Sequence, residues 1–83
     1  MKVKVGQKIR IGKSAKCIKA FENYYLDREG VKPVLGRIAT VIALTHFNSE
    51  PAVHLKFRSK FANQPGDIRS PDIYWPVSGL RKP

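Results

Sequence analysis

KVKVGQKIRI, residues 2–11, alternates almost without fault. Val3, Val5, Ile9 and Ile11 occupy one set of positions; Lys2, Lys4, Lys8 and Arg10 occupy the other. Successive side chains of a β-strand point to opposite faces. Read as one strand, the stretch buries four aliphatic groups and displays four cations. At about 3.3 Å per residue, Lys2 to Arg10 then spans on the order of 27 Å with every charge on one side.

The rest of the chain tells what such a stripe is worth. With 83 residues it forms one small domain, which buries only about 60–65% of the surface its unfolded chain exposes. One modest core fits in that volume, and hardly a deep catalytic cavity beside it. Hydrophobic residues make up 42% and charged residues 27%, so the composition is that of a folded domain. The N-terminus alternates where a signal peptide has an unbroken apolar run, and no run approaches the roughly 20 residues of a membrane span. Cys17 is the single cysteine, which excludes an intrachain disulfide and fits a reducing cytoplasm. The expected localisation is cytoplasmic.

Charge is the outlier. Sixteen Lys and Arg face six Asp and Glu, a formal net charge of +10. Self-repulsion of that size works against compactness, so the fold itself does not ask for it. Lys2, Lys4, Lys8, Arg10, Lys13, Lys16 and Lys19 precede the first acid, and HLKFRSKF (54–61) adds Lys56, Arg58 and Lys60. Glu22, Asp27 and Glu29 cluster between the two runs. Segregation of this kind predicts a basic face.

Coarse elements follow from pattern. Ser14 is placed to cap a first helical turn, and Ile18, Phe21 and Tyr25 fall at helical spacing, so 15–26 reads as a short helix or a structured loop. VLGRIATVIAL (34–44) reads as a central strand, THFNSEP (45–51) as a turn, and AVHLKF (52–57) as the second arm of a hairpin. A long polar loop (58–72) leads to a short strand IYW (73–75), one tight helical turn PVSG, and a last strand LRK (80–82). The register predicts Val5, Ile9, Ile11, Val53, Leu55 and Phe57 inside, with Lys8, Arg10, Lys56 and Arg58 outside. Trp75 and Phe57 are expected in the core.

This succession resembles a small SH3-like barrel of about five strands, mainly β, covering residues 1–83. The stretch from Gly30 to Val41 followed by AVHLKF resembles the glycine-plus-aliphatic core of KOW-type modules, which implies RNA or polymerase contacts. IYWPVSGL (73–80) is similar to the IYPVxxL ending of plasmid-borne type II dihydrofolate reductases. Trp75 interrupts that motif here, and Asp72 stands where the family has a ligand-binding glutamine. A small oligomeric reductase is what that resemblance implies.

Catalytic chemistry finds little support in the residues. His46 and His54 match no metal-ligand spacing, and nothing nominates a base for Cys17. IGKSAK (11–16) lacks the glycine spacing of a phosphate loop. No catalytic residue, metal or cofactor is expected, and the protein reads as a non-enzyme. The basic runs point instead to a nucleic acid, DNA or RNA, or a nucleoprotein machine, bound through its backbone with weak sequence preference. Tyr24, Tyr25 and Phe47 are the candidate stacking rings beside the cations already named. Lysines that protect an edge strand from aggregation explain the first run differently. An adaptor for an acidic protein surface, such as an accessory protein of a phage or mobile element, is the alternative function.

Overall fold

The alternation that opens the chain holds only from Lys8 onward. The structure, a computed structural model, describes residues 2–58 and 68–83. β1 (Lys8–Ile11) is followed by helices α1 (Ala15–Asn23) and α2 (Arg28–Val31), and by a 3-10 turn at Lys32–Val34. The hairpin β2 (Ile38–Phe47) and β3 (Glu50–Lys56) comes next. β4 (Trp75–Pro76), a 3-10 turn (Val77–Gly79) and β5 (Leu80–Arg81) complete the order. The strands form one antiparallel sheet in the order β4-β3-β2-β1-β5.

Gly6 lies in the turn that precedes β1. Its N–H donates to Val41 O at 2.7 Å while Val41 N–H donates to Gln7 O at 2.9 Å. Two residues thus face one, and Gly6 sits at φ +90°, where glycine is at ease. Gln7 N–H also donates to Lys4 O at 3.1 Å, which closes a turn over Lys4–Gln7. Val5, expected inside, sits in that turn and is 62% exposed. The four-cation stripe is therefore not one strand: Lys8 and Arg10 lie on β1, Lys2 and Lys4 on the segment before it.

The hairpin follows its sequence. Asn48 and Ser49 both take positive φ (51° and 65°), the requirement of a two-residue I′-type turn between Phe47 and Glu50. A bulge between Val41 and Ala43 shifts the register of β2 against β3, while the alternation along β2 continues with Ile42 and Leu44 on its exposed side. Ile9, Ile11, Val53, Leu55, Phe57 and Trp75 are buried as their positions predict.

The segment 15–26 contains a true helix. Ser14 Oγ accepts the Cys17 N–H at 3.3 Å, and Cys17, Ile18 and Phe21 turn inward. At its end Leu26 N–H reaches Phe21 O and Tyr25 N–H reaches Glu22 O, the paired bonds of a Schellman motif. Tyr25 fills the left-handed position (φ 62°) that glycine usually holds. A second helix starts at Asp27, whose Oδ1 accepts the Gly30 N–H at 2.8 Å. With two helices the domain is mixed α/β, not the mainly β architecture its sequence suggested. No helix of the described residues is long and apolar enough to cross a membrane.

The sheet is not closed into a barrel. β4 and β5 are its two edges and no ladder joins them. They are nevertheless linked by three residues, which reach no further than about 11 Å. Each strand has two residues, and Pro76 has no N–H to give a further ladder. Helix α1 packs against β4 and the 3-10 turn, with Phe21 edge-on to Trp75 at 5.4 Å.

Glycine makes that packing possible. A Cβ at Gly79 would land on the Phe21 ring, and one at Gly12 on the Cys17 sulfur. Gly79→Ala should therefore cost about 1–3 kcal/mol by overpacking. Gly30→Ala, whose added carbon meets only ordinary contacts with Asp27 at 3.6 Å, should be neutral or stabilise by up to about 1 kcal/mol. Urea unfolding of the two variants distinguishes them; equal stabilities would remove Gly79 from this role.

Candidate nucleic-acid interface

Antiparallel pairing sets cations beside one another. Lys8 stands opposite Thr40, and Thr40 opposite Lys56, so one row across β1, β2 and β3 carries two lysines with a threonine between. Two residues along, Arg10 stands opposite Ile38 on β2 and Arg81 on β5. Arg58 follows the end of β3 and is exposed, as are Lys8 and Lys56.

These residues border two adjoining cavities. The larger, of about 380 Å³, is lined among the described residues by Lys8, Arg37, Arg58 and Arg69 over Pro33, Val34, Gly36, Ile38 and Phe57. The smaller, of about 330 Å³, shares Lys8, Ile38, Phe57 and Arg58 and adds Lys56 and Thr40. No acidic side chain is among these lining residues. Every element contributes for a local reason. Gly36 turns the chain at φ +76°, donates to Ile11 O at 2.8 Å, and so delivers Arg37 and Ile38 beside β1. Phe57 anchors the end of β3 in the core, 5% exposed, and leaves Arg58 on the rim.

The predicted residues divide. Lys8, Lys56 and Arg58 converge on the cavities. Arg10 is half-buried and donates from Nη1 to Gly36 O at 2.8 Å, so part of its fork holds the turn beneath the cleft. The Lys13 stem lies beside Gly36. Lys16 and Lys19 are exposed on α1, and Lys2 and Lys4 on the N-terminal segment; none of the four lines the cleft. Lys60 falls outside the described residues. Arg37 and Arg69 were not foreseen. Arg37 adjoins the glycine that starts the β2 motif, a weak signal, whereas Arg69 sits in a polar loop with no periodicity to place it.

The aromatic candidates gather elsewhere. Phe47, at the hairpin tip, has ring centroids of Tyr24, Tyr74 and Tyr25 at 4.8, 5.4 and 6.3 Å. His54 joins through Tyr74 at 4.6 Å, and its Nδ1–H donates to Ile73 O at 3.0 Å. Tyr24 is only 7% exposed, which corrects its reading as a free stacking ring; its position under Phe47 covers it. Tyr25 is 84% exposed. Phe47 and Ile38 are the two ends of β2, and none of the cluster's residues lines either cavity.

Among the described residues no three His, Cys, Asp or Glu side chains converge as a metal site would require. Comparison of the chain with protein-family models, with curated proteins and with solved structures returned no match.

The Tyr24 hydroxyl is buried without a hydrogen-bond partner. Burial first, and the Glu50 carboxylate second, raise its pKa above the ordinary value. The unfolded chain then releases this proton at a lower pH than the folded one does. Stability from this group is present below a pH of about 10 and falls as pH rises beyond it. Tyr24→Phe should be neutral or stabilising at pH 7, because it removes an unpaired polar atom. Its stability should also fall less steeply above pH ~10, as urea unfolding across that range would show. A Phe variant that is clearly destabilised would mean the hydroxyl has a partner.

Proposed function

We propose that this domain binds nucleic acid, or a nucleoprotein assembly, through backbone contacts made at the cleft of Lys8, Arg37, Lys56, Arg58 and Arg69. One observation carries the reading: cations from four separate stretches of chain meet around adjoining cavities with no acidic lining residue among those described. Lys8 and Lys56 both stand opposite Thr40 of β2, so the two cations belong to one row across the sheet. Arginine's planar fork suits phosphate oxygens, and lysine adds a compact charge. Among the described lining residues there is no amide or carboxylate side chain to read adenine or cytosine edges, and the cations act chiefly on phosphates, so affinity should follow salt more than sequence.

The strand order and the three-residue 3-10 turn between the last two strands support reading the sheet as an open SH3-like barrel. Function does not follow from that likeness and rests on the cleft. A second reading has its own support. Tyr25, Phe47 and Tyr74 form an accessible aromatic group, and such residues are enriched at protein interfaces. An adaptor that meets an acidic protein surface would use both regions.

The test is a fluorescence titration with labelled oligonucleotides at several salt concentrations. Changing Lys8, Lys56 and Arg58 together to glutamine should weaken binding while thermal stability moves little, since all three are exposed. The slope of log K against log[salt] should flatten by about 0.9 per lost duplex contact or about 0.7 per single-strand contact. Tyr25→Ala should leave affinity unchanged, because that ring stands at the far end of β2. Wild-type affinity and slope in the triple variant would remove the cleft from binding and favour the adaptor.

A further inference from the structure

We infer that the larger cavity receives one unpaired nucleotide, which makes single strands the preferred ligand. This inference rests on the nucleic-acid reading above and gives that site its ligand. A surface that only tracks phosphates needs cations and nothing else. This cleft also has an apolar floor and wall, formed by Pro33, Val34, Ile38 and Phe57. Its volume of about 380 Å³ falls within the range of small-ligand sites, roughly 300–1,000 Å³. Ile38 is 40% exposed although its neighbours Ala39 and Val41 are buried, so an aliphatic side chain is presented to the cavity mouth.

Arginine is concentrated there. Arg37, Arg58 and Arg69, three of the chain's six arginines, line the cavity. Arg10 binds the carbonyl of Gly36, a further lining residue. A guanidinium group both binds phosphate and stacks flat on a base. An apolar floor under a rim of such groups matches a nucleotide, which has an aromatic ring at one end and a phosphate at the other. A base held in a duplex is stacked and paired, so it reaches such a floor only after leaving the helix. A duplex would therefore touch the rim cations alone.

The experiment separates floor from rim. Affinities are measured for short labelled oligothymidylate and oligouridylate, and for matched DNA and RNA duplexes, across a range of salt. The wild-type protein should bind single strands more tightly than duplexes at the same salt. Ile38→Gln should lower single-strand affinity about fivefold, the lower end of a lost base contact, and leave duplex affinity and the salt slope unchanged. Pro33→Ser, in an exposed turn, repeats the test should the sheet variant melt early. Arg58→Gln, by contrast, should weaken both ligands and flatten both slopes.

Equal wild-type affinity for single strands and duplexes would overturn the inference. So would an Ile38 or Pro33 variant that loses both ligands alike, or neither. In each of those cases the rim contacts and the nucleic-acid reading stand. Absence of binding to every oligonucleotide at low salt would bring down that reading, and this inference with it.

Discussion

The packing of Phe21 between Trp75 and Gly79 is the contact on which the remaining architecture depends. Phe21 and Trp75 are both fully buried and meet edge to face, at an interplanar angle of 87°. Burying a phenylalanine contributes about 1.5–3 kcal/mol, and an edge-to-face pair adds about 0.5–1.5 kcal/mol. The geometric consequence is larger than the energy. Gly12 N–H donates to Gly79 O at 2.9 Å, so the start of the α1 loop and the turn before β5 are tied together. This contact brings the two ends of the chain to one place and holds β5 against β1. Without it, two-residue strands such as β4 and β5 would have little to hold them.

That constraint also sets the cleft. β1 is held between β5 and β2, and the turn at Gly36 is fastened to it by Ile11 and by Arg10. Arg37 and Ile38 therefore occupy a fixed place beside Lys8. Arg10 and Arg81 oppose each other across β1 and β5, an arrangement that repulsion disfavours. Each answers it with a carbonyl: Arg81 donates to Leu80 O at 2.8 Å, as Arg10 does to Gly36 O. Part of the positive charge is thus structural.

The elements were legible wherever a local rule fixed them. Ser14 as cap, the Asn48–Ser49 turn and the buried set Ile9, Ile11, Val53, Leu55 and Phe57 follow from capping, turn chemistry and alternation. The two bulges did not show, because a glycine such as Gly6 does not declare its φ and Ile42 looks like any strand residue. Val5 is exposed because it lies in the Lys4–Gln7 turn, and Leu44 because it shares the outer side of β2 with Ile42 and His46. The open sheet depends on packing between distant segments, whereas the second helix is a single turn capped by Asp27, too short for a periodicity to announce it. For the site, Lys8, Lys56 and Arg58 were legible as outward strand positions, whereas Arg37 and Arg69 join them only through the tertiary fold. Exposure of aromatic rings was the least legible feature: Tyr24 and Tyr25 are adjacent, and the end of one helix buries the first and displays the second.

Stability alone does not decide what the cluster is for, and magnitudes show why. One strand, β2, lies between Lys8 and Lys56, so two strand spacings separate them, about 10 Å, a distance at which like charges repel by only about 0.4 kcal/mol in water. Salt with a screening length of about 8 Å reduces this further. A fold can carry such a row at little cost, so its presence does not by itself imply a ligand. Position is more informative than energy. Lysine is useful where a strand lies open because it blocks pairing. Among the described residues β5 pairs only with Arg10 and Ile11 and β4 only with Ala52 and Val53, so blocking of that kind accounts for Lys8 and Lys56 without a ligand. Concentration of Arg37, Arg58 and Arg69 over an apolar floor adds a feature that solvation does not require. Backbone pairing fixes the strand cations in a row, and the proposed nucleic-acid ligand is the one whose phosphates and bases would use both the row and the apolar lining beside it.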